Sequence, residues 1–181
     1  MNALDNYCKS ADNYFNGASN TISGISGVKL SDLAKYAPDF SDAERDGNDR
    51  SDIKLSLVLN SETSLRFYWD YLSDDDEAAL YWDEEAENSE YDPYSEGSIY
   101  NSRGLDLYTE RGIDDICYFE ISNIAAHDLT HEYVLHYDYD YRISAMSYVY
   151  RVLSNNSASD ELKNVAKALY VYAKAAEDYN S

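Results

Sequence analysis

Positive charge is scarce in this chain. Its 181 residues hold 14 Lys and Arg against 35 Asp and Glu, a net charge of −21. A surface of that sign repels phosphate backbones and anionic lipid, so neither a nucleic-acid partner nor a membrane-surface role is expected. No run of 18 apolar residues occurs, so no membrane insertion is expected either. The first residues lack a basic stretch followed by an apolar one, and no secretory leader is expected in this stretch. Two Pro and seven Gly are too few for a linker. Cysteine is limited to Cys8 and Cys117, on different expected elements. A disulfide between them is open, but Cys8 falls on the apolar stripe of the first expected helix, which favours a buried free thiol. A nucleophile elbow of the form Gly-x-Ser-x-Gly, a phosphate loop and a dinucleotide fingerprint are all missing. With 35 acids some carboxylate pair will always suit glycoside hydrolysis, so that signal has no weight. The expectation is that the chain is not an enzyme.

Tyrosine stands out in what is present: 20 residues, beside 4 Phe and 2 Trp. Its large apolar ring and polar tip suit half-buried strands and contact surfaces. Apolar residues make up 44% of the chain, which argues for a folded domain.

The two ends echo each other. Ala168-Leu-Tyr-Val-Tyr-Ala-Lys-Ala-Ala-Glu-Asp-Tyr-Asn180 aligns with Ala3-Leu-Asp-Asn-Tyr-Cys-Lys-Ser-Ala-Asp-Asn-Tyr-Phe15. Ala3/Ala168, Leu4/Leu169, Tyr7/Tyr172, Lys9/Lys174, Ala11/Ala176 and Tyr14/Tyr179 coincide, and Asp12/Glu177 keeps its charge. Shared apolar positions at i, i+3, i+4 and i+7 mark a helix lying on a core. The offset, 168 minus 3, is 165 residues, the size of a domain rather than of a solenoid repeat. This reads as one unit of a tandem array. Residues 1–16 then echo the closing helix of a preceding unit, and 17–181 form a single module.

Residues 2–16 read as a helix with Leu4, Tyr7, Cys8, Ala11, Tyr14 and Phe15 on one face and Gly17 just past its end. Residues 17–27 read as loop, and Leu30 to Tyr36 as a short helical turn stopped before Pro38. Ile53 to Leu59 and Ser64 to Tyr71 alternate apolar and polar residues, with Asn60 to Thr63 between them, and read as an antiparallel hairpin. Residues 73–102 change character. Eleven acids crowd there, and no Lys or Arg falls between Arg66 and Arg103. Ala78 to Trp82 is a strand inside this excursion. Leu105 to Thr109, Ile116 to Ile121, Glu132 to His136 and Tyr139 to Ile143 are further strand signals. The last two form either one long strand or a hairpin turning at Tyr137 and Asp138. Ala145 to Leu153 and Ser159 to Tyr179 close the chain as helices, with Asp160 and Glu161 suiting the first turn of the second. The expected class is α+β: an antiparallel β-sheet or small β-sandwich covered by an N-terminal helix and two C-terminal helices.

Leu33-Ala-Lys-Tyr-Ala-Pro38, Leu55-Ser-Leu-Val-Leu-Asn-Ser-Glu-Thr-Ser-Leu-Arg-Phe-Tyr68 and Tyr118-Phe-Glu-Ile-Ser-Asn-Ile-Ala-Ala-His-Asp-Leu129 are similar to a known family. Ser144-Ala-Met-Ser-Tyr-Val-Tyr-Arg-Val-Leu153 and Leu162-Lys-Asn-Val-Ala-Lys-Ala-Leu-Tyr170 complete the set. They resemble a C-terminal accessory module of large surface and carbohydrate-active proteins from gut and rumen Clostridia, Ruminococcus-like bacteria especially. The resemblance spans the chain except 72–112. It implies an extracellular or cell-surface, non-catalytic module within a longer exported chain, and carries no catalytic residues over. The family places a Gly-containing turn before the helix that matches Ser144 onward. Tyr137 and Asp138 stand at that place here, which favours the hairpin and leaves the turn type open.

Candidate chemistry is thin. His131-Glu-Tyr-Val-Leu-His136 spaces its histidines at i+5, whereas a zinc-protease helix needs i+4, and its neighbours read as strand. His127 and His131 are four apart but share only one expected helical turn, so surface histidines are the expectation. Asp74, Asp76 and Glu85 match positions 1, 3 and 12 of a calcium hand. Ala78 and Ala79 stand where the hand needs a ligand and a glycine. A looser Ca2+ site near these carboxylates stays a candidate beside a solvated acidic loop, and no other cofactor is expected. The remaining signal is aromatic. Sugars stack their C–H faces on Tyr and Trp and bond their hydroxyls to Asp, Asn and Glu. Tyr68, Trp82, Tyr91, Tyr94, Tyr100, Tyr137 and Tyr139 lie in such mixtures, and Trp69 is expected in the core with Leu65 and Phe67. The expected function is binding of polysaccharide, a cell-surface glycan or another surface polymer; half-burial of these rings would instead favour a spacer or docking domain between neighbouring domains of the same chain.

Overall fold

The structure, a computed structural model, describes residues 2–38, 54–59, 63–69, 79–82, 107–110, 116–136 and 140–180. The class is α+β. Helix α1 (Ala3–Asn16) is followed by a 3-10 helix (Leu30–Tyr36). Among the described residues seven strands come next: β1 (Lys54–Leu59), β2 (Thr63–Trp69), β3 (Ala79–Trp82), β4 (Leu107–Glu110), β5 (Ile116–Ile121), β6 (Tyr133–His136) and β7 (Asp140–Ile143). A 3-10 turn (Ala126–Asp128) lies between β5 and β6, and helices α2 (Ala145–Ser154) and α3 (Asp160–Asn180) follow. The chain divides into two compact units.

The helical unit comprises residues 1–37, 125–130 and 145–181. Asn2 caps α1 by accepting the Leu4 amide at 3.2 Å. Gly17 ends it at φ 67°, a left-handed conformation open to glycine, and the Ala18 amide returns to the Asp12 carbonyl at 3.4 Å. Within this unit α3 packs against α1, α2 and the 3-10 turn, and the Leu30–Tyr36 helix packs on α2. The core holds Leu33, Leu129, Met146, Val149, Val165, Ala168, Leu169 and Ala173. A 21-residue helix with alanines at 168 and 173 lets neighbours approach closely while Val165 and Leu169 supply apolar bulk.

The expected face of α1 is corrected. Leu4 is 41% exposed and Phe15 58%, and Cys8 is an exposed free thiol rather than a buried one. The buried positions are Asn6 and Ser10. Burial of such polar groups requires hydrogen bonds, and they have them. The Ser10 hydroxyl donates to the Asn6 carbonyl at 2.8 Å, and Asn6 Oδ1 accepts the Ser23 amide at 3.3 Å. One turn on, Asn13 Nδ2 donates to the Asn20 carbonyl at 2.9 Å and Asn13 Oδ1 accepts the Asn20 amide at 2.7 Å. Asn16 and Asn20 donate to the Asp12 carboxylate, which holds its pKa below the usual carboxylate value. The loop after α1 is thereby folded back along the helix, and its backbone supplies the polar partners that a hydrophobic stripe would not need.

The sheet unit comprises residues 38–124 and 131–144. A four-stranded antiparallel sheet runs in the order β1-β2-β5-β4, and a three-stranded one in the order β3-β6-β7. β1 and β2 form the expected hairpin, with Leu59 opposite Thr63. β6 and β7 also form a hairpin, with His136 opposite Asp140, so the alternative of one long strand is excluded. Side chains alternate between faces, and register assigns each level of the sheet. Leu57, Leu65 and Ile121 are consecutive partners across β1, β2 and β5, and all three are buried. Leu55, Phe67, Phe119 and Leu107 form the next level on that same face. In the smaller sheet the buried level is Tyr133 opposite Ile143.

Candidate functional site

Tyrosine chemistry concentrates in two places. The first joins the echoing helices. Tyr7 of α1 and Tyr172 of α3, equivalent positions of the echo, stack with ring centroids 5.7 Å apart and planes within 7°. Burial pushes the Tyr7 phenol up to about 12, with the charges of Cys8 and Tyr172 adding to the rise. A tyrosine in the unfolded chain ionises near 10. The folded state therefore holds the Tyr7 proton more tightly, and this contribution is complete below pH 10 and lost as pH rises toward 12. Two pKa units amount to about 2–3 kcal/mol. Melting curves between pH 9 and 12 should fall with a proton-linked slope that Tyr7→Phe flattens. An unchanged slope in the variant would show that Tyr7 is not the group responsible.

The second place is one register level of the four-stranded sheet, of the same parity as buried Ser64 in β2. Tyr68 of β2, Tyr118 of β5 and Tyr108 of β4 are consecutive register partners, with Lys54 of β1 at the end of the row. Strands lie roughly 4.8 Å apart, so the outer two tyrosines stand about 10 Å from each other along the row. The adjoining level of that parity holds Ser56, Arg66 and Glu120. Local sequence explains the register: Tyr68 follows Phe67, and Tyr118 precedes Phe119, so each tyrosine has the opposite parity to its apolar neighbour.

The site residues expected from the sequence separate. Tyr68 belongs to this row. Trp82 belongs to the other sheet, where it is the register partner of Tyr133. Tyr91, Tyr94, Tyr100, Tyr137 and Tyr139 lie outside the described residues, as do Asp74, Asp76 and Glu85 of the candidate Ca2+ site. Tyr108 and Tyr118 were not singled out by sequence reasoning. Their signal is alternation within β4 and β5, which becomes a row only once the strands are paired.

No family model, curated protein or solved structure matches the chain.

Among the described residues no group of three His, Cys, Asp or Glu converges as a metal site, and no helix is long and apolar enough to cross a membrane. His136 sits in β6 opposite Asp140, and His131 lies two residues before that strand, so the two histidines do not share a helix. His127 is about half exposed, 3.5 Å from Asp128 in the 3-10 turn. At the C-terminal end of α3, Lys174 donates to Glu177, which raises the lysine pKa and lowers that of the carboxyl. Thr130 also reaches Glu177, at 3.5 Å. Both charged groups are more than a third exposed, so the pair is a modest surface contribution.

Proposed function

We propose that the chain is a non-catalytic module of a multidomain bacterial surface or secreted protein, and that it binds carbohydrate or a cell-surface polymer. The observation that carries this reading is the row Tyr68, Tyr118 and Tyr108 at one level of one sheet face. A line of aromatic residues matches a line of sugar C–H faces, and the adjoining register level, Ser56, Arg66 and Glu120, is made of polar residue types suited to sugar hydroxyls. A sheet is a stiff support for such a row, because its spacing is set by backbone hydrogen bonds. The resemblance to accessory modules of carbohydrate-active proteins, and an acidic surface that suits a solvated exterior location, agree with this. The two sheets are proposed to face each other as a small β-sandwich, since each has a buried level that needs covering.

Native gels cast with soluble polysaccharides test the reading. The chain is expected to be retarded by at least one of them, and Tyr68→Ala and Tyr108→Ala should each weaken retardation about tenfold. Tyr108→Phe, which keeps the ring, should retain it. Retardation by none, or retardation indifferent to all three variants, would sink the proposal.

A second reading has its own observation. The stack of Tyr7 on Tyr172 joins two copies of one helix pattern, which favours a structural unit in a tandem array. An array of binding units satisfies both readings, since avidity rises when sites are linked.

A further inference from the structure

The two echoing helices bury opposite faces. On α3, Leu169 is 1% exposed and Ala173 is fully buried. Their equivalents on α1, Leu4 and Cys8, are exposed, and Phe15 continues that stripe at 58%. Leu4, Cys8, Ala11 and Phe15 fall at i, i+4, i+7 and i+11, a single apolar strip along α1. The reverse holds as well. On α1 the buried positions are Asn6 and Ser10. Their equivalents on α3, Val171 and Ala175, are half-buried and exposed. The face that α3 buries at Leu169 and Ala173 is exposed on α1 at Leu4 and Cys8, and the face that α1 buries is only partly covered on α3. Tyr7 and Tyr172 lie between the two faces, where the helices meet.

Leu169 and Ala173 are buried within the helical unit, where α3 packs against α1, α2 and the 3-10 turn. An exposed α1 stripe with the same leucine, and Cys in place of Ala, is shaped for the same kind of layer. Resting on the tandem-array reading, we propose that one helix serves two successive units. The occupant of the Leu4–Cys8–Phe15 stripe is then the layer equivalent to α2 and the 3-10 turn in a preceding copy of this fold. The helix would close that copy with its Leu4 face and open the next with its Asn6 and Ser10 face. The difference in residue type agrees with this use. The face that closes a unit is apolar, for a packed core. The face that opens one is polar at Asn6, Ser10 and Asn13, for the hydrogen bonds to Ser23 and Asn20.

The echo fixes the joint for a test. A two-copy chain is made by following Lys167 of the first copy directly with Ala3 of the second, so that residues 3–16 replace 168–181 of the first. The readout is thiol labelling of Cys8, followed peptide by peptide, because the chain contains two copies of that cysteine. Cys8 in the N-terminal helix should react as fast as in the 181-residue protein. Cys8 in the shared helix stands where Ala173 is fully buried, and should react at least tenfold more slowly. Leu4→Ser in the shared helix should abolish that protection, while the same change in the single chain should leave its melting temperature within about a degree. Equal labelling of both cysteines would overturn the shared helix. A second two-copy chain, with both copies complete and joined end to end, judges the array reading separately. If each copy there keeps the unfolding enthalpy of the single protein while the shared-helix chain labels equally, sharing fails and the array stands. If the end-to-end copies lose enthalpy or aggregate, the array reading fails with it.

Discussion

Removing residues 1–16 is expected to destabilise the protein by about 3–5 kcal/mol, a fall in melting temperature on the order of 10 °C. The loss divides between two sources. Tyr7 leaves its stack on Tyr172, which uncovers apolar area on both rings and costs about 2–3 kcal/mol. The loop after α1 loses the side chains that hold it: the Asn13 pair with Asn20 and the Asn6 contact with Ser23, each worth about 1 kcal/mol net. Leu4 and Phe15 add little, because both are already largely in water. Thermal unfolding of the full and shortened chains measures the total. Hydrogen exchange at Asn20 and Ser23 distinguishes the sources, since those amides donate to α1 and should lose protection in the shortened chain. An unaltered melting temperature would mean that α1 is a tail with no part in the helical core.

Leu169→Ala should cost about 3 kcal/mol, whereas Leu4→Ala, the same substitution at the echoing position, should cost less than about 0.5–1 kcal/mol. Leu169 is enclosed by the core of the helical unit, and trimming it leaves a cavity as well as a transfer loss. Leu4 is 41% exposed and leaves no void. Urea midpoints of the two variants against the parent decide it. Similar shifts for both would show that the two echo positions occupy equivalent environments, contrary to the burial described above. The Leu4 result also bears on the array: a leucine that matters little in one copy and much in a shared helix is a leucine held for a neighbour.

Hairpins, helix ends and strand positions were readable because their causes are local. Leu55, Leu57 and Leu59 recur at every second position, and β1 forms there; Gly17 provides the left-handed residue that ends α1. The choice between one strand and two at Tyr137 was open because alternation continues across the turn, and only pairing of His136 with Asp140 closes it. The tyrosine row was out of reach for a similar reason. β2 and β5 are about fifty residues apart, and no local pattern says which residue of one meets which residue of the other. Trp82 looked like Tyr68 in composition of its surroundings, yet register puts it level with buried Tyr133 and Ile143.

By itself the sequence determined the α+β class, the order of elements and the kinship of the first and last helices, since periodicity and turn residues act over a few positions. Tertiary structure decided which side of each helix faces inward. The apolar strip of α1 predicts burial of Leu4 and Cys8, but a helix turns toward whichever side gains the most partners. For α1 that side is the polar one, where the returning loop satisfies Asn6 and Asn13, while Tyr7, at its margin, finds Tyr172. Such partners are distant in sequence or set by a backbone path, and only the folded chain brings them together.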